Sequence, residues 1–135
     1  MTMELFDDIG TRPRNEPIAP GAMLLRGYAH ADAAALLDAL DGVIRQAPFR
    51  RMVTPGGLKM SVAMTNCGAL GWVTDRRGYR YTAFDPQSDL PWPTLPASFR
   101  RLAHDAAAAA GYAAFEPDAC LVNRYEPGAK LSLHQ

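Results

Sequence analysis

The 135-residue sequence lacks the features of several protein classes. It has no run approaching the ~18 consecutive apolar residues of a membrane-spanning helix, so no membrane span is predicted. Its first residues, 1–8, are acidic and contain no basic segment followed by an apolar one, which argues against a secretory signal. Only two cysteines are present, Cys67 and Cys120, and they form no Cys-x-x-Cys pair. We therefore expect two reduced thiols in a cytoplasmic protein.

The sequence also lacks a net charge, because 14 lysines and arginines balance 14 acidic residues. Hydrophobic residues make up 48% of it, which excludes a disordered chain and is enough to form a buried core. The 11 glycines and 11 prolines are numerous for a globular protein, but they form no low-complexity tract. The length corresponds to one domain or to part of one.

The neutral total hides a basic segment over residues 45–82, which holds seven cationic side chains and one acidic residue, Asp75. The same segment contains four aromatic residues: Phe49, Trp72, Tyr79 and Tyr81. Cations that neutralise phosphates and rings that stack on unpaired bases are typical of a surface for single-stranded nucleic acid. The alternative is that the rings belong to the core and the arginines form a solvated face.

Proline content and apolar spacing predict the structure of the first third of the chain. Residues 1–20 contain prolines and little periodicity, and are predicted to form an extended arm over the surface. A short strand is predicted at 23–25. Apolar residues at three- and four-residue spacing then predict a helix over 31–46, which Pro48 ends.

The middle of the chain, residues 50–82, is predicted to form β structure. Apolar residues alternate with smaller or polar ones over 60–65, which predicts a strand with two distinct faces. The proline-rich residues 84–96 are predicted to form an irregular loop. A second helix follows, with Ser98 as its cap and Gly111 as its end.

The carboxyl-terminal residues are predicted to form two strands around a turn at 126–128. Asn123 and Tyr125 share a face of the first strand, because side chains alternate along a strand. The second strand is predicted over 129–135. A hairpin alone cannot bury both of its faces, so we expect the sequence to be the front portion of a larger domain.

Six motifs carry a resemblance to a known family. They read MVTPGG (52–57), MSVAMTNCG (60–68), GW (71–72), NRY (123–125), PG (127–128) and LSLHQ (131–135). From about residue 20 onward the chain resembles the AlkB family of nucleic-acid repair dioxygenases. The resemblance implies an enzyme that uses Fe(II), 2-oxoglutarate and O2 to dealkylate damaged bases such as 1-methyladenine and 3-methylcytosine. The implied products are formaldehyde, the restored base, succinate and CO2.

The resemblance assigns one metal ligand to this sequence. Non-haem iron oxygenases hold Fe(II) by two histidines and one carboxylate. By resemblance His134 is the first of these ligands and the catalytic residue, and the other two would follow Gln135. We therefore expect the chain alone to bind no iron usefully and to be inactive.

The resemblance also implies contacts to the cosubstrate. Asn123 and Tyr125 would hydrogen-bond 2-oxoglutarate. Arg124 is grouped with them as cofactor-binding, although strand alternation directs it to the opposite face, where a structural or ion-pairing role is the alternative.

Trp72 would stack on the extruded base, since an alkylated base carries positive charge and favours an aromatic site. The other substrate-binding residues implied by the resemblance are Tyr79, Arg80, Tyr81, Thr54, Met64, Lys130 and Gln135. Of these, Tyr79 and Arg80 would contact phosphates, and core packing is the alternative role of Met64.

The implied fold is α+β, with a nucleotide-recognition lid that leads into the first strands of a double-stranded β-helix, or jelly-roll, oxygenase core. The arm would span 1–20, the lid 21–118 and the first core strands 119–135. The expected partner is alkylated single-stranded DNA, with RNA or duplex DNA carrying a flipped base as further substrates, and the protein is expected to be a monomer away from membranes.

Two alternatives stay open. One is a non-catalytic module that binds single-stranded nucleic acid through the lid alone. The other is a related oxygenase that acts on protein or on a small molecule, and the basic, aromatic segment argues against it.

Overall fold

The computed structural model describes residues 14–131. The predicted ligand His134, the predicted contact Gln135, the end of the last predicted strand and most of the predicted arm lie outside these residues. The strand predicted over 129–135 is wrong for 129–131, which follow the turn without strand pairing. Within 14–131, no helix is long and apolar enough to cross a membrane.

The described residues divide into two compact units. The first unit comprises residues 14–38 and 97–117, and the second unit comprises 39–96 and 118–131. Each is described by itself below.

The first unit begins with a hairpin of strands β1 (Arg14–Ala19) and β2 (Ala22–Arg26). Gly21, at φ 77°, provides the left-handed conformation in the connecting turn. The strand predicted at 23–25 is confirmed as β2. Of the extended arm predicted over 1–20, Arg14–Ala19 form strand β1, which is largely exposed and pairs with β2.

Two helices are present in the described part of the chain. A 3-10 turn at His30–Asp32 leads into α1 (Ala33–Gln46), which confirms the helix predicted over 31–46. Helix α2 spans Ala97–Ala109 and is followed by Gly111 at φ 97°, as predicted for its end. The prediction of Ser98 as cap is wrong, because the helix begins one residue earlier, directly after Pro96.

The second unit contains two antiparallel strand pairs. Strand β3 (Ala63–Gly68) pairs with β6 (Ala119–Arg124), and β4 (Gly71–Asp75) pairs with β5 (Gly78–Thr82). The β structure predicted within 50–82 is confirmed over these strands.

The predicted alternation of faces is wrong for β3, whose residues are buried on both faces. The reason is that both faces are covered. On one side the Thr65 hydroxyl donates to the Ala47 carbonyl at 2.6 Å, and on the other the Asn66 amide binds the backbone of Trp72.

The apolar core of the second unit lies around β3 and β4. Its buried members are Ala47, Met52, Val62, Met64, Val73 and Trp92. Residues 84–96 form the irregular loop that was predicted, apart from an isolated bridge between Phe84 and Pro91. The Trp92 indole donates to the Thr82 carbonyl at 3.0 Å, which ties this loop to the end of β5.

Candidate functional site

The second unit contains a cavity of about 650 Å³ formed by residues of all four of its strands and of the flanking loops. Its lining residues are Met60, Met64, Asn66, Trp72, Tyr79, Tyr81, Ala119, Leu121, Asn123 and Leu131. Four residues implied by the resemblance as substrate contacts and one implied as a cosubstrate contact therefore share one cavity. They are Met64, Trp72, Tyr79, Tyr81 and Asn123.

The aromatic wall of the cavity comes from the β4–β5 hairpin. The rings of Trp72 and Tyr79 are stacked, with centroids 5.7 Å apart and planes at 21°. Tyr81 lies opposite Trp72 in the strand register, and both tyrosines are 62% exposed. Because alternate residues of β5 share a face, a single strand places both tyrosines beside the indole. Flat rings in this arrangement can hold a planar, cationic group.

Strand β6 provides a polar group in the same cavity. Asn123 lies opposite Met64 in the β3–β6 register, so its amide stands beside a buried apolar side chain. Leu121, two residues earlier on the same face, also lines the cavity. Tyr125 lies after the end of β6, is 44% exposed and is not a lining residue. The alternation of side chains along β6 thus places Asn123 in the cavity, whereas Tyr125 lies beyond the end of the strand.

Two predicted site arginines are engaged by other groups. Arg80 forms a two-pronged ion pair with Asp75 across the hairpin, with N···O distances of 2.9 and 2.8 Å. The hydrogen bonds from Arg80 lower the pKa of Asp75 to about 2. The Arg124 guanidinium lies 4.5 Å from the centre of the Phe49 ring and 3.7 Å from Glu126. Neither arginine lines the cavity, and the position of Arg124 favours the ion-pairing role given as its alternative.

Thr54 and Lys130 also lie outside the lining of the cavity. The Thr54 hydroxyl accepts a hydrogen bond from the Leu58 amide at 3.1 Å and thereby closes the turn around Gly56 and Gly57. It keeps its own proton for a further acceptor. Lys130 is exposed, and its ammonium group is accessible to an anion. Met64 is both a core residue and a lining residue of the cavity.

The basic segment does not form one continuous charged surface. The Arg50 side chain is only 8% exposed and pairs with buried Asp85 through two hydrogen bonds of 2.6 and 2.8 Å. Its guanidinium also lies 5.2 Å from the centre of the Trp92 ring. Burial alone would raise the pKa of Asp85, but hydrogen bonds from Arg50 and from the Gln87 amide lower it overall. The surface interpretation of this segment is therefore wrong for Arg50, which stabilises the interior.

The predicted site residues did not include Asn66 or the apolar lining residues Met60, Ala119, Leu121 and Leu131. Asn66 offered a signal, because it is an amide inside a strand flanked by residues suited to burial, and a buried amide requires hydrogen-bond partners. Side-chain alternation predicted Met60 on the face of Met64 and Leu121 on the face of Asn123, but no site role was predicted for either.

The two cysteines face each other directly across β3 and β6 and are both free thiols. The hydrogen bond from the Cys67 thiol lowers the pKa of Cys120 to about 7. That same hydrogen bond, together with burial, raises the pKa of Cys67. Both cysteines adjoin lining residues of the cavity, Cys67 next to Asn66 and Cys120 between Ala119 and Leu121.

Within residues 14–131, no three histidine, cysteine or carboxylate side chains are grouped so as to hold a metal ion. The predicted ligand His134 lies outside those residues. What the cavity offers among the described residues is a pair of stacked aromatic rings and the amide of Asn123.

Comparison with known proteins shows what the chain is similar to. A family model described as the 2OG-Fe(II) oxygenase superfamily matches residues 21–135. The chain is 62% identical over 133 residues to the alpha-ketoglutarate-dependent dioxygenase AlkB of Salmonella typhimurium and 57% identical to that of Escherichia coli. A Caulobacter vibrioides AlkB homolog is 40% identical over 119 residues.

These alignments differ in how much of each protein they cover. The first two include 98% of this chain but 61% of each relative, and the third includes 87% of this chain and 52% of the relative. The chain thus spans about three fifths of the length of the Salmonella typhimurium and Escherichia coli proteins.

Proposed function

Because the chain belongs to the 2OG-Fe(II) oxygenase superfamily and, within it, to the AlkB family, we propose that the whole protein is a dioxygenase that dealkylates bases in nucleic acid. Its substrates would be 1-methyladenine and 3-methylcytosine in single-stranded DNA, with RNA or a flipped base in duplex DNA as further substrates. The observation that carries this proposal is the cavity in which Trp72, Tyr79 and Asn123 meet.

The aromatic wall would hold the base. A base inside a duplex cannot reach a buried reaction centre, so the nucleotide has to be unpaired or extruded. Tyr79 stacks on the Trp72 indole, and both rings line the cavity that would receive the base. Positive charge on an N-alkylated ring strengthens such stacking through cation–π attraction.

Groups around the cavity would hold the strand. Tyr79 presents an exposed phenol, Thr54 retains a hydroxyl proton, and Lys130 presents an exposed cation. Each can donate a hydrogen bond to a phosphate oxygen. The pairing of Arg80 with Asp75 supports a role in bracing the hairpin, with any phosphate contact made by the same guanidinium from its outer edge.

The cosubstrate and the metal would bind beside the base. Asn123 has an amide in the cavity that can donate to a carboxylate of 2-oxoglutarate, and Tyr125 would add a phenol from the residue that follows β6. His134 would hold Fe(II) together with residues that follow this sequence. The bound metal, 2-oxoglutarate and O2 would supply the oxidation of the alkyl group, while the described residues bind and orient the base.

The family assignment also supports a proposal for the architecture. Strand β6 would be the first strand of a jelly-roll core completed by later residues, and the β4–β5 hairpin would belong to the lid over the substrate. We keep the sequence-based boundaries of arm, lid and core at 1–20, 21–118 and 119–135. We further propose a monomer in the cytoplasm, where the thiols of Cys67 and Cys120 would stay reduced.

The experiment that tests the function is turnover by the full-length protein. Formaldehyde release should occur from a single-stranded oligonucleotide carrying 3-methylcytosine, and it should require both Fe(II) and 2-oxoglutarate. Tight binding of the oligonucleotide without formaldehyde release would instead support the non-catalytic binding module.

Replacement of Trp72 tests the aromatic wall. Trp72→Ala should weaken binding of the methylated strand by roughly 1–3 kcal/mol, the range measured for loss of one base-stacking ring. Tyr112→Ala is the matched control, because Tyr112 is an exposed aromatic residue of the first unit. Equal affinities of Trp72→Ala and wild type would remove Trp72 from the stacking role.

A further inference from the structure

Asn66 is a fully buried amide whose two polar atoms both bind the backbone of Trp72. The Trp72 amide donates to Asn66 Oδ1 at 3.0 Å, and Asn66 Nδ2 donates to the Trp72 carbonyl at 2.9 Å. Asn66 is 0% exposed, and Thr65 and Cys67 on either side are equally buried. A pair of hydrogen bonds between one side chain and one residue's backbone fixes that residue in both position and orientation.

The strand register shows why Trp72 needs this partner. Asp75 and Gly78 pair across the two-residue turn of the β4–β5 hairpin, and such a closing pair exchanges both backbone hydrogen bonds. Hydrogen-bonded and non-hydrogen-bonded pairs then alternate along the ladder, so Trp72 and Tyr81 form a non-hydrogen-bonded pair. The backbone groups of Trp72 therefore point away from β5. Asn66 takes the place that a neighbouring strand would occupy.

Gly71 adds a second constraint immediately before Trp72. A Cβ atom at Gly71 would lie 2.4 Å from the Trp92 indole and 2.9 Å from Cβ of Asn66. The backbone of β4 is thus clamped between a buried ring and the strand that carries Asn66. A clamp of this kind leaves Trp72 little freedom to move along or out of the sheet.

We propose that Asn66 is the positioning residue that holds the Trp72 ring at the angle needed to receive the base. This inference rests on the proposed function, in which Trp72 is the stacking platform. Asn66 lines the same cavity, yet it acts through Trp72 because its amide oxygen and one amide proton are used by the Trp72 backbone. The stacking surface is then organised before the strand binds, which lowers the entropy lost on binding.

The test replaces Asn66 by an isosteric acid in the full-length protein. Asn66→Asp keeps the acceptor for the Trp72 amide but places an oxygen against the Trp72 carbonyl. It should weaken binding of a 3-methylcytosine strand about tenfold, the size of a lost hydrogen bond, and change kcat at saturating strand little. Mild acidification should recover much of this affinity relative to wild type, because a protonated carboxyl can again donate to the carbonyl.

Thr65→Val is the matched control. It removes another buried hydrogen bond from the same strand, but this bond goes to the Ala47 carbonyl and leaves Trp72 untouched. Its affinity for the strand should equal that of wild type. Asn66→Ser provides a second variant should Asn66→Asp fail to fold. Wild-type affinity in the folded Asn66 variant, or an equal loss of affinity in Thr65→Val, would overturn the proposal.

A double-mutant cycle shows whether Asn66 acts through Trp72. In the Trp72→Ala background, Asn66→Asp should cause no further loss of affinity. A second, additive loss would overturn the positioning role, as would a changed ratio of affinities for methylated adenine and methylated cytosine, which would indicate direct reading of the base. Absence of formaldehyde release by the wild type is a separate result that would refute the proposed function itself.

Discussion

The two units differ in where their polar interactions lie. Among residues 14–131, every fully buried residue belongs to the second unit. There the Arg50–Asp85 pair is only 8% and 3% exposed, and Thr65 and Asn66 make their hydrogen bonds in the interior. In the first unit, Arg100 and Glu116 form a pair of similar length, 2.7 Å, but their side chains are 61% and 53% exposed.

This difference separates buried polar interactions, on which the folded structure depends, from exposed ones, on which it depends little. A buried charge without its partner is strongly destabilising, whereas an exposed ion pair competes with water and is screened by salt. The proposed site lies in the unit where polar groups are buried, so the orientation of Trp72 depends on interactions that water cannot replace. We therefore expect substitutions in the second unit to have the larger effects.

The largest effect is expected from Asp85→Asn. The substitution keeps the volume of the side chain but leaves the Arg50 guanidinium buried without its counter-charge. The free energy of unfolding should fall by about 3–5 kcal/mol, measured by urea denaturation of the full-length protein. A fall in the free energy of unfolding no larger than that caused by breaking an exposed ion pair would contradict the proposed difference between the two units.

The same pair predicts a dependence on pH. The pKa of Asp85 is lowered in the folded protein, so its ionisation contributes stability above the pKa of the unfolded carboxyl, ~3.9. That contribution is lost as the pH falls through the folded-state value. The stability difference between wild type and Asp85→Asn should hence be constant near neutrality and shrink in acid. A difference that grew on acidification would contradict the assignment.

A smaller effect is expected from Gly71→Ala. The added methyl group would overlap the Trp92 indole, and overpacking of a core typically costs about 1–3 kcal/mol. Gly42→Ala is the control, because Gly42 lies within helix α1 and an added Cβ there meets only Arg45 at 3.8 Å. The control should stabilise the protein slightly, since alanine is the better helix former. Equal changes in the free energy of unfolding for the two variants would show that the backbone of β4 is not tightly packed at Gly71.

Local patterns predicted much of this arrangement. Helix α1 follows from three- and four-residue apolar spacing, and Asn123 was placed on a strand by side-chain alternation alone. Helix α2 ends near Gly111 because glycine tolerates the left-handed conformation there. Each of these features depends on residues within a few positions of one another.

Features that depend on distant partners could not be predicted. Arg50 looked like a surface cation because its counter-charge, Asp85, lies 35 positions away. The pairing of β1 with β2 was not predicted, because the prolines near β1 interrupt the apolar periodicity. The alternation expected around β3 failed because the elements that cover its two faces come from residue 47 and from β4. Charge and periodicity identify the types of groups, while their pairing is a property of the fold.

The smallest effect is expected from Glu116→Gln in the first unit. It breaks the 2.7 Å pair with Arg100 and removes the carboxylate 3.6 Å from His104, yet all three side chains remain in contact with water. Hydration of the separated charges replaces most of the energy of the ion pair, and salt screens the remaining attraction. The thermal midpoint of the full-length protein should match that of wild type within replicate scatter, at low and at high salt. A drop comparable with that of Asp85→Asn would mean that the first unit also depends on specific charge pairing, and the contrast between buried and exposed pairs would no longer explain which residues matter.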